Sequence, residues 1–312
     1  MTNRPVVVQT EAIEAEPASW LAERAELVRV EVGSPVLDEH LARAEALLVK
    51  TYTTVDGALL DRAPNVRVVG RAGVGLDNVD LEECRARGIR VVYTPDANSQ
   101  AVTELVVAFT FDALRPRIFL ETPIDTPTWL STRRELIADR QMGDLTMGII
   151  GLGRVGSRVA RAAAGLGMRV VHHDLHKIAN EHSTQVPRED LLATADVVSV
   201  HIDGRASNHR VLDDDTFGRL KSDAVFINTS RGFVVDHDAL ARFLGTHPAA
   251  CAMLDVHDPE PITAANPLLA MPNAHLSPHI ASATRSAKVA MSWVVRDVYR
   301  VLTGEAPKHA AV

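Results

Sequence analysis

A chain of 312 residues exceeds what one hydrophobic core usually organises, so two domains are expected. Its 33 basic side chains against 40 acidic ones give a net charge of −7, which argues against a nucleic-acid or anionic-membrane partner but leaves room for a local anion site. No stretch reaches the ~18 consecutive apolar residues of a bilayer span. The start MTNRPVVVQTEAIEAEP lacks the apolar run of a signal peptide, and Cys84 and Cys251 lie in no motif. A cytoplasmic globular protein with unpaired thiols is the expectation.

Short apolar runs alternate with helical patterns from end to end. Pro5–Gln9, Leu27–Val32, Ala46–Lys50, Val66–Gly70 and Ile89–Tyr93 read as buried strands separated by helices. Thr146–Ile150, Met168–Asp174, Val197–Ile202, Ala224–Asn228 and Ala250–Asp255 form a second set. Between the sets, Asn98–Arg115 predicts a long helix. Pro116, Pro123 and Pro127 then interrupt the chain before a helix over Trp129–Arg140. The pattern over Ala283–Leu302, with Val289, Trp293, Val298 and Val301 at helical spacing, predicts one last helix that returns to the first domain. The fold class is α/β, with two doubly wound parallel sheets.

The run Gly151-Leu152-Gly153-Arg154-Val155-Gly156 follows the strand Thr146–Ile150 and opens a helix over Arg154–Gly165. In that context it predicts a dinucleotide site. The first glycine allows a tight turn, the second lets backbone approach a pyrophosphate, and the third lets helix pack on strand. The helix N-terminus favours the anion. Asp174 ends the next strand, 18 residues beyond Gly156, where a carboxylate accepts the ribose hydroxyls and repels a 2′-phosphate. NAD is therefore expected over NADP, with His176 and Lys177 as the contrary possibility.

Three later segments place polar groups just past apolar strands, where a doubly wound sheet opens its ligand crevice. They are Thr229-Ser230-Arg231-Gly232, Asp255-Val256-His257-Asp258-Pro259-Glu260-Pro261 and Leu276-Ser277-Pro278-His279-Ile280. Singly, each reads as a surface arginine, a turn carboxylate or a loop histidine. Together they supply the groups that interconversion of a hydroxy acid and a keto acid with a nicotinamide needs. An imidazole exchanges the hydroxyl proton, an arginine holds the carboxylate, and a carboxylate supports the imidazolium.

These segments carry a resemblance. With Gly70-Arg71-Ala72-Gly73-Val74-Gly75-Leu76-Asp77-Asn78-Val79-Asp80, the glycine run, Asn228 through Asp236, Leu254 through Pro261 and Ser277 through Ile280, the chain resembles the D-isomer-specific 2-hydroxyacid dehydrogenases over nearly its whole length. The resemblance implies that Arg231 orients substrate, Glu260 pairs with the histidine and His279 is the acid/base. It implies that Asp255 contacts the nicotinamide end, that Arg154 and Val155 lie against the pyrophosphate, and that His201, Ile202, Thr229, Ser230 and Ala281 line the cofactor pocket. It further implies a flavodoxin-like substrate domain from residues 1–97 and 285–312, a Rossmann-type cofactor domain from 98–284, hinges near 97 and 284, and a homodimer joined through residues 98–144.

For the substrate, Gly73, Val74 and Gly75 can present backbone N–H groups to a carboxylate, and Arg71 is the nearest side chain for a second anion. The wording of this segment is most similar to the D-3-phosphoglycerate dehydrogenase branch; Val74 stands where phosphite dehydrogenases of the same family carry a lysine. Two residues depart from the family pattern. Asp203 adds negative charge near the expected cofactor pocket, and His257 replaces a common aromatic, either as a substrate-facing group or as a substituted ring. Alternatives are a glyoxylate or hydroxypyruvate reductase within the same class, and a non-catalytic NAD-sensing corepressor-like protein. No metal is expected: neither His172, His173 and His176 nor His275 and His279 complete a ligand set.

Overall fold

The computed structural model describes residues 4–115 and 117–312; Met1–Asn3 and Pro116, the first of the interrupting prolines, lie outside the described residues. The chain divides into two compact units, residues 4–98 with 282–312, and residues 99–281.

The first unit begins β1 (Val6–Gln9), α1 (Ala15–Ala22), β2 (Glu26–Arg29), α2 (Leu37–Leu41), β3 (Ala46–Val49), α3 (Gly57–Asp61), β4 (Val68–Arg71), α4 (Leu81–Ala86) and β5 (Arg90–Val92). The five strands are parallel in the order β2-β1-β3-β4-β5, so the sheet reverses direction between β1 and β3. All four residues of β3 are buried, as expected of a central strand with helices on both faces. Asp56 and Asp80 cap α3 and α4 by accepting the N–H groups of Leu59 and Glu83.

The second unit contains α5 (Ser99–Leu114), α6 (Thr126–Glu135), β6 (Thr146–Ile150), α7 (Arg154–Gly165), β7 (Arg169–His173), β8 (Thr184–Gln185), α8 (Arg188–Thr194), β9 (Val197–Val200), α9 (Asp214–Gly218), β10 (Val225–Asn228), α10 (His237–Thr246), β11 (Cys251–Leu254) and β12 (Ala274–Leu276). Its seven strands are parallel in the order β12-β11-β10-β9-β6-β7-β8, with the reversal between β6 and β9. This is the doubly wound dinucleotide-binding order, with one further strand at the β12 edge. The central strands β6, β9 and β10 are buried throughout.

Three details differ from the sequence reading. The helix expected over Trp129–Arg140 runs Thr126–Glu135 instead, with Pro127 in its first turn, where the missing N–H has no intrahelical partner to lose. The short strands β8 and β12 were not predicted, because two or three half-exposed residues carry no apolar run. The single helix expected over 283–302 is two, α11 (Arg285–Ser292) and α12 (Val295–Leu302). Near the break, the Ser292 hydroxyl donates back to the Lys288 carbonyl, a bond that bends helices, and accepts the Glu14 N–H. Both helices belong to the first unit, where Val294, Val295, Val298 and Leu302 pack on Val7, Leu48 and Val68.

The final residues close the β5 edge of that sheet: Ala311 N–H donates to Val91 O and Tyr93 N–H to His309 O. Asp297, 6% exposed on α12, fixes this segment by accepting the N–H groups of Lys308 and His309, both at 3.0 Å, and the Arg300 guanidinium. Asp297→Ala orphans two backbone donors, and a cost of about 1–3 kcal/mol is expected. It should appear as a lower denaturation midpoint with faster exchange of the Ala311 amide.

Candidate active site

Every segment singled out in the second unit leaves the C-terminal end of a parallel strand, so they share one edge of its sheet. The glycine turn follows β6, Asp174 follows β7, His201–Ile202 follow β9, Thr229–Arg231 follow β10, Asp255–Glu260 follow β11 and Ser277–His279 follow β12.

At the β6 end Gly151 takes φ +90°, a conformation open to glycine. A Cβ at Gly156 would lie 2.1 Å from the Gly151 carbonyl oxygen, so the third glycine is what allows α7 to start against the turn. A Cβ at Gly153, by contrast, would meet nothing within 4 Å. Gly153 and Arg154 are exposed, and no side chain caps α7. Asp174 ties the turn to β7: its carboxylate accepts Leu152 N–H at 2.8 Å and His176 N–H at 3.0 Å. Burial alone would raise its pKa, but these two bonds hold it below the usual carboxylate range.

From β9, the His201 backbone and the Ile202 side chain face Gly151. The His201 imidazole does not: it bonds the Ser199 hydroxyl at 2.8 Å, and burial pushes its pKa down to about 3, so it stays neutral. Asp203 does not leave a bare negative charge, because Arg205 grips it with two bonds of 2.7 and 2.5 Å and Asn208 adds a third at 3.0 Å. After β10, buried Asn228 shapes the next turn by accepting Ser230 N–H and Oγ–H and donating to Arg231 O at 2.9 Å. Buried Thr229 Oγ1 has no hydrogen-bond partner among the described residues.

The residues of this edge fit a dinucleotide. The N-terminus of α7, uncapped among the described residues and above the open Gly153, suits a pyrophosphate, Asp174 offers its remaining lone pairs to ribose hydroxyls, and Thr229 Oγ1 keeps a donor without a partner among the described residues.

The ends of β10, β11 and β12 bring Arg231, Glu260 and His279 together. His279 Nδ1 and Glu260 Oε2 are 2.7 Å apart, and Glu260 Oε1 accepts His257 N–H at 2.9 Å. The hydrogen bond that His279 donates to Glu260 raises the His279 pKa, with burial and Arg231 opposing it. Burial pulls Glu260 upward, but its bonds to His279 and His257 N–H hold it below the usual range. Arg231 lies near enough for its charge to act on both His279 and Asp203. Its turn abuts the β11 loop directly, since a Cβ on Gly232 would lie 1.9 Å from His257 O. His279 itself adopts φ +52°, sparsely populated for a residue with a Cβ.

What holds that conformation is Asp255, expected at the nicotinamide end. It is fully buried, and its carboxylate accepts Ser277 Oγ–H at 2.5 Å, Ile280 N–H at 2.8 Å and Ala281 N–H at 2.7 Å. In this chain the group therefore organises the histidine loop, and Ala281 joins as one of its donors. His257, substrate-facing group or substituted ring in the sequence reading, is 7% exposed and bonds Ser277 O through its Nε2 at 2.8 Å. Ser277, Asn228 and Gly232 were in the quoted motifs, but nothing in the sequence marked them as supports.

The other anticipated groups are accounted for locally. His172 bonds Ser183 Oγ and Ile178 O, and among the described residues no three His, Cys, Asp or Glu side chains are arranged for a metal. Both cysteines are free, with burial pushing each thiol up to about 11. In the first unit, the Arg71 guanidinium folds over Gly73, where it occupies the space of a Cβ. Gly73 N–H is spent on Arg71 O at 2.8 Å, which removes it as a ligand donor. The N–H groups of Val74 and Gly75 donate to nothing among the described residues.

A parallel sheet with a glycine turn at its reversal and an acid–imidazole pair along the same edge defines a dehydrogenase-type α/β domain. Residues 107–281 match the profile of the D-isomer specific 2-hydroxyacid dehydrogenase NAD binding domain. The chain is 36% identical over 269 residues to the (S)-sulfolactate dehydrogenase of Chromohalobacter salexigens, covering 84% of this chain and 86% of that protein. It is 31% identical over 300 residues to the D-3-phosphoglycerate dehydrogenase of Archaeoglobus fulgidus, covering 93% of this chain but only 56% of that longer relative. The solved structure of the TT0316 protein from Thermus thermophilus superposes with a TM-score of 0.83 at 33% identity, covering 98% and 100% of the two chains. The chain belongs to the D-isomer-specific 2-hydroxyacid dehydrogenase family. It is an NAD-dependent oxidoreductase that moves hydride between a nicotinamide and a D-2-hydroxy acid or its keto acid.

Removing the Glu260 charge removes the main support of the His279 imidazolium. In Glu260→Gln the His279 pKa is expected to fall, so the ring loses its proton at lower pH than in the wild type, as followed by NMR titration of the ring resonances.

Proposed function

We propose that His279 is the acid/base of this reaction, with Glu260 as its charge partner and Arg231 as the group that orients the acid. The observation that carries this reading is the 2.7 Å contact between His279 and Glu260 beside the Arg231 charge. Bound NAD supplies the hydride acceptor, and NADH the donor. In keto-acid reduction, protonated His279 gives its Nε2 proton to the carbonyl oxygen while Nδ1 stays on Glu260. In oxidation the neutral ring takes the hydroxyl proton. Arg231 offers two parallel donors to a carboxylate and polarises the carbonyl. Asp174 favours NAD, because a 2′-phosphate would meet a carboxylate held ionised.

The first unit carries groups of its own that suit an acid: the N–H groups of Val74 and Gly75, which donate to nothing among the described residues, and the cation of Arg71. The two relatives above are named for sulfolactate and 3-phosphoglycerate, acids that carry a sulfonate or a phosphate besides the carboxylate. A 2-hydroxy acid with a second anionic group is therefore the proposed substrate class, with glyoxylate and hydroxypyruvate as the singly charged comparison.

A homodimer through the segment before β6 is also part of this reading. Phe119 is 84% and Ile137 69% exposed there, with Ile118, Leu120, Trp129 and Leu130 about half exposed, an apolar row that a second copy would cover. No helix among the described residues is long and apolar enough to cross a membrane, and the free thiols support a cytoplasmic setting.

The test is NADH oxidation with a panel of keto acids. Turnover of at least one is expected, and His279→Gln should lower kcat by about 100- to 10,000-fold with NADH affinity little changed. Tight NADH binding with no turnover of any keto acid would instead identify a sensor on the same fold.

A further inference from the structure

Two buried ring nitrogens of the second unit, His237 Nε2 and His257 Nδ1, have no hydrogen-bond partner among the described residues. The other nitrogen of each ring is engaged, and its partner decides where the proton sits. His257 Nε2 lies 2.8 Å from Ser277 O, a carbonyl that can only accept. Nε2 therefore carries the proton, and Nδ1 is left as a bare acceptor. His237 Nδ1 lies 3.2 Å from Asn266 Nδ2. The Asn266 oxygen is committed to Leu268 N–H at 3.0 Å, so the amide turns its NH2 to the ring and His237 Nδ1 accepts. The neutral His237 ring then keeps its proton on Nε2, as a buried donor. One ring offers what the other lacks.

The two rings come from separate elements. His237 opens α10, His257 lies in the loop after β11, and Asn266 caps the turn Pro267–Ala270, which packs on α10. They are near enough for their charges to interact. Burial and His257 push the His237 pKa below the usual range, Asp258 and Asp236 pull it back, and Arg210 adds to the fall. The His279 pKa is raised, by Glu260 and Asp255 against burial and Arg231, so His237 is neutral where His279 titrates. His257 in turn reaches both members of the His279–Glu260 pair. Its amide holds Glu260 Oε1 at 2.9 Å, and its ring holds the Ser277 carbonyl, which also accepts the N–H of His279 at 3.0 Å.

We propose that His237 and His257 are coupled positioning residues for the acid/base, the His237 Nε2–H serving the His257 Nδ1 lone pair directly or through one buried water. The inference rests on the reading of His279 as the acid/base. The link completes one run of hydrogen bonds from Leu268 N–H through Asn266, His237 and His257 to Ser277 O, in which each donor polarises the next. It keeps the His257 proton on Nε2, and with it the grip on the Ser277 carbonyl that aims His279 at Glu260.

The experiment compares wild type, His237→Phe, His257→Phe, the double variant and His257→Gln. One readout is the His279 ring titration by NMR, which needs no turnover; the other is the pH profile of NADH-dependent reduction of a keto acid that the wild type turns over. His257→Phe keeps a ring but loses the bond to Ser277, so kcat should fall about tenfold with KM for NADH within about twofold. The His279 titration and the falling limb of the profile should both move to lower pH, because the contact with Glu260 loosens. His257→Gln places an N–H at the reach of Nε2 and should recover most of the loss. His237→Phe should show the same changes in smaller measure, about threefold in kcat, and the double variant should be no slower than His257→Phe alone.

Losses that multiply in the double variant would overturn the coupling. A His279 titration unmoved in both single variants would overturn the proposal, as would a lower melting temperature with wild-type kcat and titration, the mark of a merely structural pair. If His257→Phe fails to fold, His237→Phe is compared with His237→Gln, which keeps a donor at the reach of Nε2; identical titrations of His279 in the two would overturn it. Wild-type turnover in His279→Gln would instead overturn the underlying reading, a failure that the ring titrations tell apart from loss of the coupling.

Discussion

A carboxylate with no access to water governs the geometry of this site. Asp255 ends a buried strand, and burying its charge is tolerable only because a hydroxyl and two backbone amides of the loop after β12 all donate to it. Those bonds fix the backbone on either side of His279 and hold it at a φ it would otherwise seldom adopt. The imidazole is thereby aimed at Glu260, whose other oxygen is fixed by the His257 amide. His257 closes the circuit by reaching back to Ser277. The His279–Glu260 pair is thus preorganised by groups around it.

The same solution recurs wherever a strand of either sheet ends at a loop with work to do. Asp174 holds the glycine turn, Asn228 the arginine turn and Glu11 the loop after β3, each by accepting backbone N–H groups. This explains how a chain with seven more acidic than basic side chains serves anionic ligands. Many carboxylates are spent on the protein's own amides or on neighbouring guanidinium groups.

Much of this could be read in the sequence, and the reason is physical. A strand buried on both faces must be an unbroken apolar run, so β1, β3, β6, β9 and β10 announced themselves. A glycine run between strand and helix has few other uses. The features that escaped notice depended on contacts distant in sequence. The strands β8 and β12 are too short to carry a pattern. The break between α11 and α12 involves one serine hydroxyl. The charge of Asp203 read as unbalanced because its partner Arg205 carried no motif, and nothing in the sequence showed that the His201 ring bonds Ser199 while its backbone faces Gly151. Asp255 was noticed only as a cofactor contact, and its hold on the histidine loop, through residues 22 to 26 positions away, left no local signal. Glu11 was not noticed at all, because a carboxylate 39 residues from its nearest partner amide leaves no local signature.

The central claim is that a single ionisation, the one shared by His279 and Glu260, governs hydride transfer in both directions. The most direct measurement is the pH dependence of kcat/KM for keto-acid reduction and for hydroxy-acid oxidation with one substrate pair. Reduction needs the protonated ring, so it should fall as pH rises through the elevated His279 pKa, while oxidation should rise through the same value. In His279→Gln both limbs should vanish from the residual activity. Limbs at unrelated pH values, or limbs that persist in His279→Gln, would contradict the account.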